Sequence, residues 1–237
     1  MRPTSFRILA GVAFGVFCVA QAAPAAPVYW TDWTTDTKGF SGSASGVIAL
    51  PDASDVTVRY DGEVDTRTQT SSGSTFYWTT PTTYQSATVD NAPATNDIVT
   101  LVGGNDQVKT VSFSQPVADP VMAILSLGSP INLAIYDFAT PFEILSSGPG
   151  YWGNGSLTEP VADELHGDEG HGTIQFPGTV EAITWTVPDG ESWHGFTVGI
   201  PGVAEGNGSP VIPAPGTLVL AAAGTGLVGW LRRRRML

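Results

Sequence analysis

The chain has 237 residues, with 10 Lys and Arg against 22 Asp and Glu, a formal net charge of −12 and one cysteine. Because phosphate recognition needs basic patches, this balance argues against nucleic acid as a partner. A single cysteine excludes an internal disulfide, and the length suffices for one domain with a full hydrophobic core.

Residues 1–22 have the layout of a secretory signal peptide. Its parts are a basic region with Arg2 and Arg7, an apolar region over residues 8–19, and a small-x-small cleavage site at Ala20 and Ala22. Cleavage after Ala22 would remove Cys18, the only cysteine. The exported protein is therefore expected to be stabilised by its core rather than by disulfides.

The charge of the body differs from that of the whole chain. Residues 1–22 and 213–237 hold six of the ten basic residues, so residues 23–212 keep four against all 22 acidic ones, a formal charge of −18. Such a surface suits a soluble extracellular protein or one that binds divalent cations.

Residues 23–201 are predicted to form an all-β body. Short runs rich in β-branched and aromatic residues, bounded by Gly, Pro, Asn or Asp, occur at 44–50, 55–60, 75–79, 84–89, 97–102, 108–114, 120–127, 131–138, 142–146, 172–176, 180–187 and 195–200. The pattern predicts a two-sheet β-sandwich of jelly-roll type, with residues 122–127 as a central strand. Residues 32–45 and 65–88, rich in Thr, Ser and Gly, are predicted to be edge strands and long loops.

An acidic segment at residues 163–172 is the sharpest polar cluster. Asp168 and Glu169, interleaved with glycine, could supply oxygen ligands to calcium, whereas His166 and His171 could instead favour zinc. The spacing matches no standard loop. An acidic turn leading into the strand at residue 172 is the alternative.

Three aromatic residues are candidates for carbohydrate binding. Tyr151 and Trp152 stand in a glycine-rich segment, and Trp193 follows a Pro-Asp-Gly-Glu sequence. Exposed at loop tips, such side chains would offer rigid apolar faces to a sugar. The alternative is a loop folded back to cap the sandwich. Trp185 alternates with Ile183 and Val187 and is predicted to be core.

No catalytic residues are predicted. The body lacks cysteine, and the chain has neither a Gly-x-Ser-x-Gly motif, a phosphate-binding glycine motif nor a His-Glu-x-x-His motif. The expectation is a non-enzymatic protein, with a secreted hydrolase as an alternative.

The C-terminal segment, residues 213–237, has three parts. Pro213, Ala214, Pro215 and Gly216 form a turn, residues 217–231 are uncharged and largely apolar, and Arg232, Arg233, Arg234 and Arg235 form a basic end. The apolar part is short for a membrane span, which needs about 17–25 residues. The arginines predict a cytoplasmic end and an external body. Residues 202–212 are predicted to be a flexible linker.

This segment resembles the PEP-CTERM sorting signal of Gram-negative bacteria, with Ala214 where that family usually has Glu. Residues 111–200 also resemble the body of a group of PEP-CTERM surface proteins. The residues that carry this second likeness are 113–117, 120–124, 146–153, 169–176 and 193–199. The alternative reading of the segment is a plain tail anchor.

The resemblance implies a sorting route and a setting. An exosortase-like enzyme would act on a protein held in the inner membrane, which then reaches the cell surface or extracellular matrix. The implied function is a structural or polysaccharide-binding component of a biofilm. A calcium-dependent carbohydrate-binding module or adhesin is the alternative, and no cofactor other than possible calcium is expected.

Overall fold

The computed structural model describes residues 25–52, 54–71 and 73–202. Within these residues the protein is all-β, with two antiparallel sheets and one short 3-10 helix. The strands are β1 Tyr29–Trp30, β2 Asp32–Thr37, β3 Gly39–Ile48, β4 Val56–Val64, β5 Val99–Leu101, β6 Asn105–Ala118, β7 Val121–Leu127, β8 Ala134–Phe138, β9 Glu143–Gly148, β10 Leu157–Val161, β11 Glu164–Gly167, β12 Gly170–Gln175, β13 Thr179–Val187 and β14 His194–Ile200. This confirms the predicted class of fold, a two-sheet β-sandwich.

The first sheet has the order β1-β14-β7-β12-β9, and β5 also pairs with β14. The second sheet has the order β10-β11-β8-β13-β6-β4-β3-β2. β7 lies between β14 and β12, so the prediction of a central strand at residues 122–127 is confirmed.

The main core lies between the two sheets. Its side chains come from alternate positions along the strands, as a period of two residues requires. Ile183, Trp185 and Val187 of β13 are all buried, which confirms the core assignment of Trp185. The Trp185 ring lies 5.9 Å from that of Tyr60 within its own sheet and 5.3 Å from that of Phe196 in the other sheet. The contact between Trp185 and Phe196 is an edge-to-face contact, and it joins the two sheets.

β6 has a charged residue at an inward-facing position. Lys109 is fully buried together with Val111, whereas Val108 is 57% exposed. The Lys109 ammonium donates to Asn105 Oδ1 at 2.9 Å. Burial lowers the pKa of Lys109, an effect that the nearby Glu63 carboxylate opposes.

A second hydrophobic cluster covers the outer face of the first sheet. Ala123 and Leu125 of β7 point away from the main core and pack with Tyr77, Trp78 and Tyr84. These three aromatic residues belong to residues 65–98, the long connection between β4 and β5. The central strands of the first sheet are therefore buried on both faces.

The predicted strands at residues 75–79 and 84–89 are wrong. Residues 75–80 have no assigned regular structure, and the 3-10 helix Pro81–Tyr84 follows them. The aromatic side chains of this segment are anchored by packing on the first sheet, so the segment needs no strand ladder of its own. The prediction of long loops over the sandwich at residues 65–88 is confirmed.

Three other strand assignments need correction. Residues 32–45 contain β2, which confirms the predicted edge strand. They also contain most of the ten-residue strand β3, which is paired on both sides and is neither an edge strand nor a loop. The sequence does not predict β10 and β11, because Leu157 and Leu165 are their main apolar residues and the remaining residues are largely polar.

The predicted terminal segments fall largely outside the described residues. This applies to the signal peptide at 1–22, the linker at 202–212 apart from Gly202, and the sorting segment at 213–237. Among the residues described, no helix is long and apolar enough to cross a membrane.

Candidate functional site

Four aromatic side chains from three segments of the chain form one patch, which we call the aromatic platform. Tyr77 lies in the long connection between β4 and β5, and Tyr151 and Trp152 lie in the loop between β9 and β10. Trp193 immediately precedes β14. The Tyr77 ring centroid lies 5.1, 5.4 and 5.6 Å from those of Tyr151, Trp152 and Trp193. Trp152 lies 4.6 Å from Tyr151 and 4.7 Å from Trp193.

The platform has a buried base and an exposed surface. Tyr77 is only 8% exposed, whereas Tyr151 and Trp152 are 38% and 40% exposed. Trp193 is half-buried and packs against the outer cluster. The loop between β9 and β10 is thus folded back over the sandwich, as in the alternative interpretation of its sequence. It still exposes Tyr151 and Trp152 to solvent.

Glycines allow the loop between β9 and β10 to approach the sheet closely. Gly153 has a φ of +69°, a backbone conformation that favours glycine. A Cβ atom at Gly150 would strike the ring of His171. The absence of a side chain at Gly150 lets the loop lie directly on His171, and its absence at Gly153 leaves room for the Glu169 side chain.

His171 fastens the platform loop from beneath. The ring is fully buried, and its Nδ1 accepts a hydrogen bond from the Ser126 backbone N–H at 3.1 Å. Because a backbone N–H can only donate, Nδ1 must be unprotonated, so the proton of a neutral ring is on Nε2. Nε2 donates to the backbone carbonyl of Trp152. Burial lowers the pKa of His171 and so favours this neutral form, although the bond to Trp152 acts in the opposite direction.

Arg67 borders the platform. Its guanidinium carbon lies 5.8 Å from the ring centroid of Trp193, within the range of a cation–π contact. Its Nη1 donates to Asp65 Oδ1 at 3.0 Å. Burial acts to raise the pKa of Asp65, but hydrogen bonds from the backbone and side chain of Arg67 outweigh it and lower the pKa. Asp65 therefore remains a charged partner for Arg67 at neutral pH.

A polar cleft of about 440 Å³ lies beside the platform. It is lined by Asp36, residues 66–70, residues 73–75 and Tyr77. Gln69 stabilises its wall by donating from Nε2 to the carbonyls of Thr75 and Asn96, both at 2.8 Å. The cleft is open to solvent, and its lining is predominantly polar.

The residues of the acidic segment 163–172 lie in different structural elements and contact different partners. Asp168 and Glu169 form the turn between β11 and β12, and the Glu169 side chain lies over Gly153. His166 Nε2 pairs with Glu164 Oε2 at 2.9 Å on β11, while both ring nitrogens of His171 are engaged as described above. The expectation of a simple acidic turn is therefore wrong for residues 164–167, which form a strand.

Within the described part of the chain, no group of three or more His, Cys, Asp or Glu side chains is arranged to hold a metal ion. Calcium binding by Asp168 and Glu169 stays a prediction. Thermal melting with and without a chelator would test it.

Sequence reasoning proposed three members of the platform but missed Tyr77, Arg67 and the role of His171. Tyr77 and Arg67 lie more than 70 residues from Tyr151 in the chain. No local pattern links such distant residues.

Comparison with protein-family models, curated proteins and solved structures finds no match for this chain.

Proposed function

We propose that this protein is a non-enzymatic, exported cell-envelope or extracellular-matrix protein that binds polysaccharide through the aromatic platform. The observation that supports it is the convergence of Tyr77, Tyr151, Trp152 and Trp193 on one partly exposed surface. A sugar ring has apolar C–H faces that stack on aromatic rings, and its hydroxyl groups remain free for hydrogen bonds.

The position of the platform favours binding over a purely structural role. A loop that served only as a cap could bury its large rings completely, as Trp78 and Tyr84 do in the same cluster. Trp152 instead has its backbone carbonyl held by His171 and its indole 40% exposed. Fixing the backbone from beneath keeps the exposed ring in place before a ligand arrives, which reduces the entropy lost on binding.

We propose that the strand order follows the jelly-roll scheme. β5, β14, β7 and β12 are neighbours in the first sheet, and β6, β13, β8 and β11 are neighbours in the second. Taken in chain order, these eight strands alternate between the sheets except at β8 and β11, which follow one another in the second sheet. Two interlocked Greek keys produce this arrangement.

We also propose export and sorting by the two terminal segments. The signal-peptide layout of residues 1–22 and the Pro-Ala-Pro, apolar and arginine parts of residues 213–237 support it. An exosortase-like enzyme and the inner membrane would then be transient partners, and the cell surface or matrix the final location.

The binding proposal is tested by substituting the two tryptophans of the platform. Trp152→Ala and Trp193→Ala should weaken binding of a soluble polysaccharide at least about tenfold, which corresponds to about 1.4 kcal/mol. Affinity electrophoresis against a panel of polysaccharides would measure it. Phe40→Ala is a matched control, because Phe40 is 59% exposed and belongs to β3 in the other sheet. Equal affinity of all three variants and the wild type would refute a binding role for the platform.

A further inference from the structure

We infer that the polar cleft beside the platform is a second part of the same glycan site, and that the ligand is an uncharged polysaccharide. This inference rests on the proposed function, and it adds both a ligand class and a second set of contacts.

Two residues belong to both surfaces. Tyr77 forms the base of the aromatic platform and also lines the cleft. Arg67 lies over the Trp193 ring and lines the cleft as well. The platform and the cleft are therefore continuous, and a chain of sugars stacked on Trp152 or Trp193 can extend into the cleft.

The cleft offers both donors and acceptors. Arg67 uses Nη1 for Asp65, and its Nε and Nη2 have no hydrogen-bond partner among the described residues. The Asp36 carboxylate accepts from the Thr70 hydroxyl at 2.7 Å and pairs with Lys38 at 3.1 Å, which leaves lone pairs for further donors. A sugar hydroxyl donates one hydrogen bond and accepts others, so it can satisfy both kinds of group.

The charges in and around the cleft balance. Arg67 is paired with Asp65 at 3.0 Å and Lys38 with Asp36 at 3.1 Å. The other lining residues are Thr, Ser, Gln, Gly and Tyr, all uncharged. A glycan that carried carboxylates would meet two paired aspartates with no surplus cation, on a body with a formal charge of −18 from four basic and 22 acidic residues. Like-charge contacts of this kind oppose binding, whereas an uncharged sugar avoids them.

The test measures binding of defined hexasaccharides to the full-length protein by isothermal titration calorimetry. The uncharged probes are cellohexaose, maltohexaose and mannohexaose, and the charged probe is hexagalacturonate. We expect at least one uncharged probe to bind at least tenfold more tightly than hexagalacturonate, with an affinity that changes little as NaCl is raised. Tighter, salt-sensitive binding of hexagalacturonate would overturn the assignment of an uncharged ligand.

Arg67→Ala tests the role of the cleft. We expect a loss of affinity of at least fivefold for the uncharged probe, with no change in Trp152 exposure to a fluorescence quencher. Arg59→Ala is the matched control, since Arg59 also forms an ion pair with an aspartate two residues away and has a side chain 53% exposed, against 48% for Arg67.

The outcomes separate this inference from the proposed function. If Trp152→Ala abolishes binding while Arg67→Ala behaves like Arg59→Ala, the platform binds glycan and the cleft does not take part. If none of the four probes binds the wild-type protein at millimolar concentration, the proposed function itself fails for glycans of these classes and the inference fails with it.

Discussion

At the scale of single residues, His171 connects the interior of the sandwich to the exposed rings. One ring nitrogen accepts from the backbone of β7 and the other donates to the backbone at Trp152. The bond to Ser126 requires an unprotonated Nδ1, so the neutral ring carries its proton on Nε2 and donates from there to Trp152. Protonation would place a second N–H against the Ser126 N–H inside the protein. Acid therefore disrupts the bond to Ser126, whereas the bond from Nε2 to Trp152 is kept, because Nε2 carries a proton in both states.

We expect the stability contributed by His171 to be lost in acid. The folded-state pKa is lowered by burial, so the unfolded chain binds more protons between the folded value and the ordinary value of about 6.5. The contribution is complete above about pH 6.5 and declines as the pH falls towards the folded value. At neutral pH, His171→Gln should cost about 1–3 kcal/mol, because buried groups lose their partners. Thermal or urea unfolding at several pH values would measure this.

The decisive measurement is how the difference in unfolding free energy between the wild type and His171→Gln changes with pH. The gap between wild type and His171→Gln should narrow as the pH falls below about 6.5. His166→Gln is the control, because His166 is half-buried on β11 and contacts Glu164 rather than the platform loop. A constant gap for His171→Gln over this range would show that folding does not lower the pKa of His171.

At the scale of elements, the connection between β4 and β5 gives the first sheet its second buried face. Its aromatic residues pack on Ala123 and Leu125, and its Tyr77 forms the base of the platform. The same connection carries Arg67 and most of the cleft lining. One segment thus contributes both to the stability of the sheet and to the candidate site.

Two leucines provide a matched test of this cover. Leu125 is fully buried on the outer side of β7, while Leu133, in the loop before β8, is 55% exposed. Leu125→Ala should lower the free energy of unfolding by about 2–5 kcal/mol, because it leaves a cavity under the cover. Leu133→Ala should change it by less than about 0.5 kcal/mol. If chemical denaturation gave similar losses of unfolding free energy for the two variants, the connection between β4 and β5 would not bury the outer face of the first sheet.

Short strands with alternating burial could be predicted from the sequence. The packing of the connection between β4 and β5 on the first sheet could not. β13 is recognisable because Ile183, Trp185 and Val187 recur with the period of two that a half-buried strand needs. Residues 65–98 contain buried aromatics with no such period, since their side chains pack on a sheet formed by distant residues. Burial of that kind depends on tertiary contacts and leaves no local pattern.

At the scale of the whole molecule, the acidic excess is the dominant electrostatic feature. Residues 23–212 carry four basic and 22 acidic side chains, a formal charge of −18. Repulsion among these charges favours expansion of the chain, and dissolved salt screens it. Among the described residues the ion pairs of Lys and Arg with Asp are local, so they do little to offset the net charge.

We therefore expect the melting temperature to rise with salt. Between about 0.01 M and about 1 M NaCl the Debye length falls from about 30 Å to about 3 Å, which removes most of the repulsion between exposed carboxylates. Differential scanning fluorimetry would measure the rise, and KCl should reproduce it if screening is the cause. A melting temperature that falls, or that responds to only one of the two salts, would contradict this explanation.

The proposed sorting route predicts two results for the ends. Released protein should begin near Ala23 and should lack Trp230 and the terminal arginines when analysed by mass spectrometry. Replacing Arg232, Arg233, Arg234 and Arg235 by Gln should reduce membrane retention and correct orientation, because positive charge holds that end at the cytoplasmic face. Arg59→Gln, in the body, is the control. An intact C-terminus on released protein would favour a plain tail anchor.

The class of fold and three of the four platform rings could be predicted from the sequence alone. Strand periodicity and turn residues specify an all-β sandwich, because alternation along a strand is a local property of the chain. Tyr151, Trp152 and Trp193 could be selected as candidates, since each stands near glycine or proline in a predicted loop.

That these rings meet follows from the tertiary fold. Tyr77 joins them as a base, His171 fastens their loop, and Arg67 links them to a polar cleft. Each of these contacts joins residues far apart in the chain. Contacts of this kind depend on how the two sheets and the long connection pack, which no local sequence pattern specifies. The sandwich class could therefore be predicted from the sequence, whereas the assembled candidate site could not.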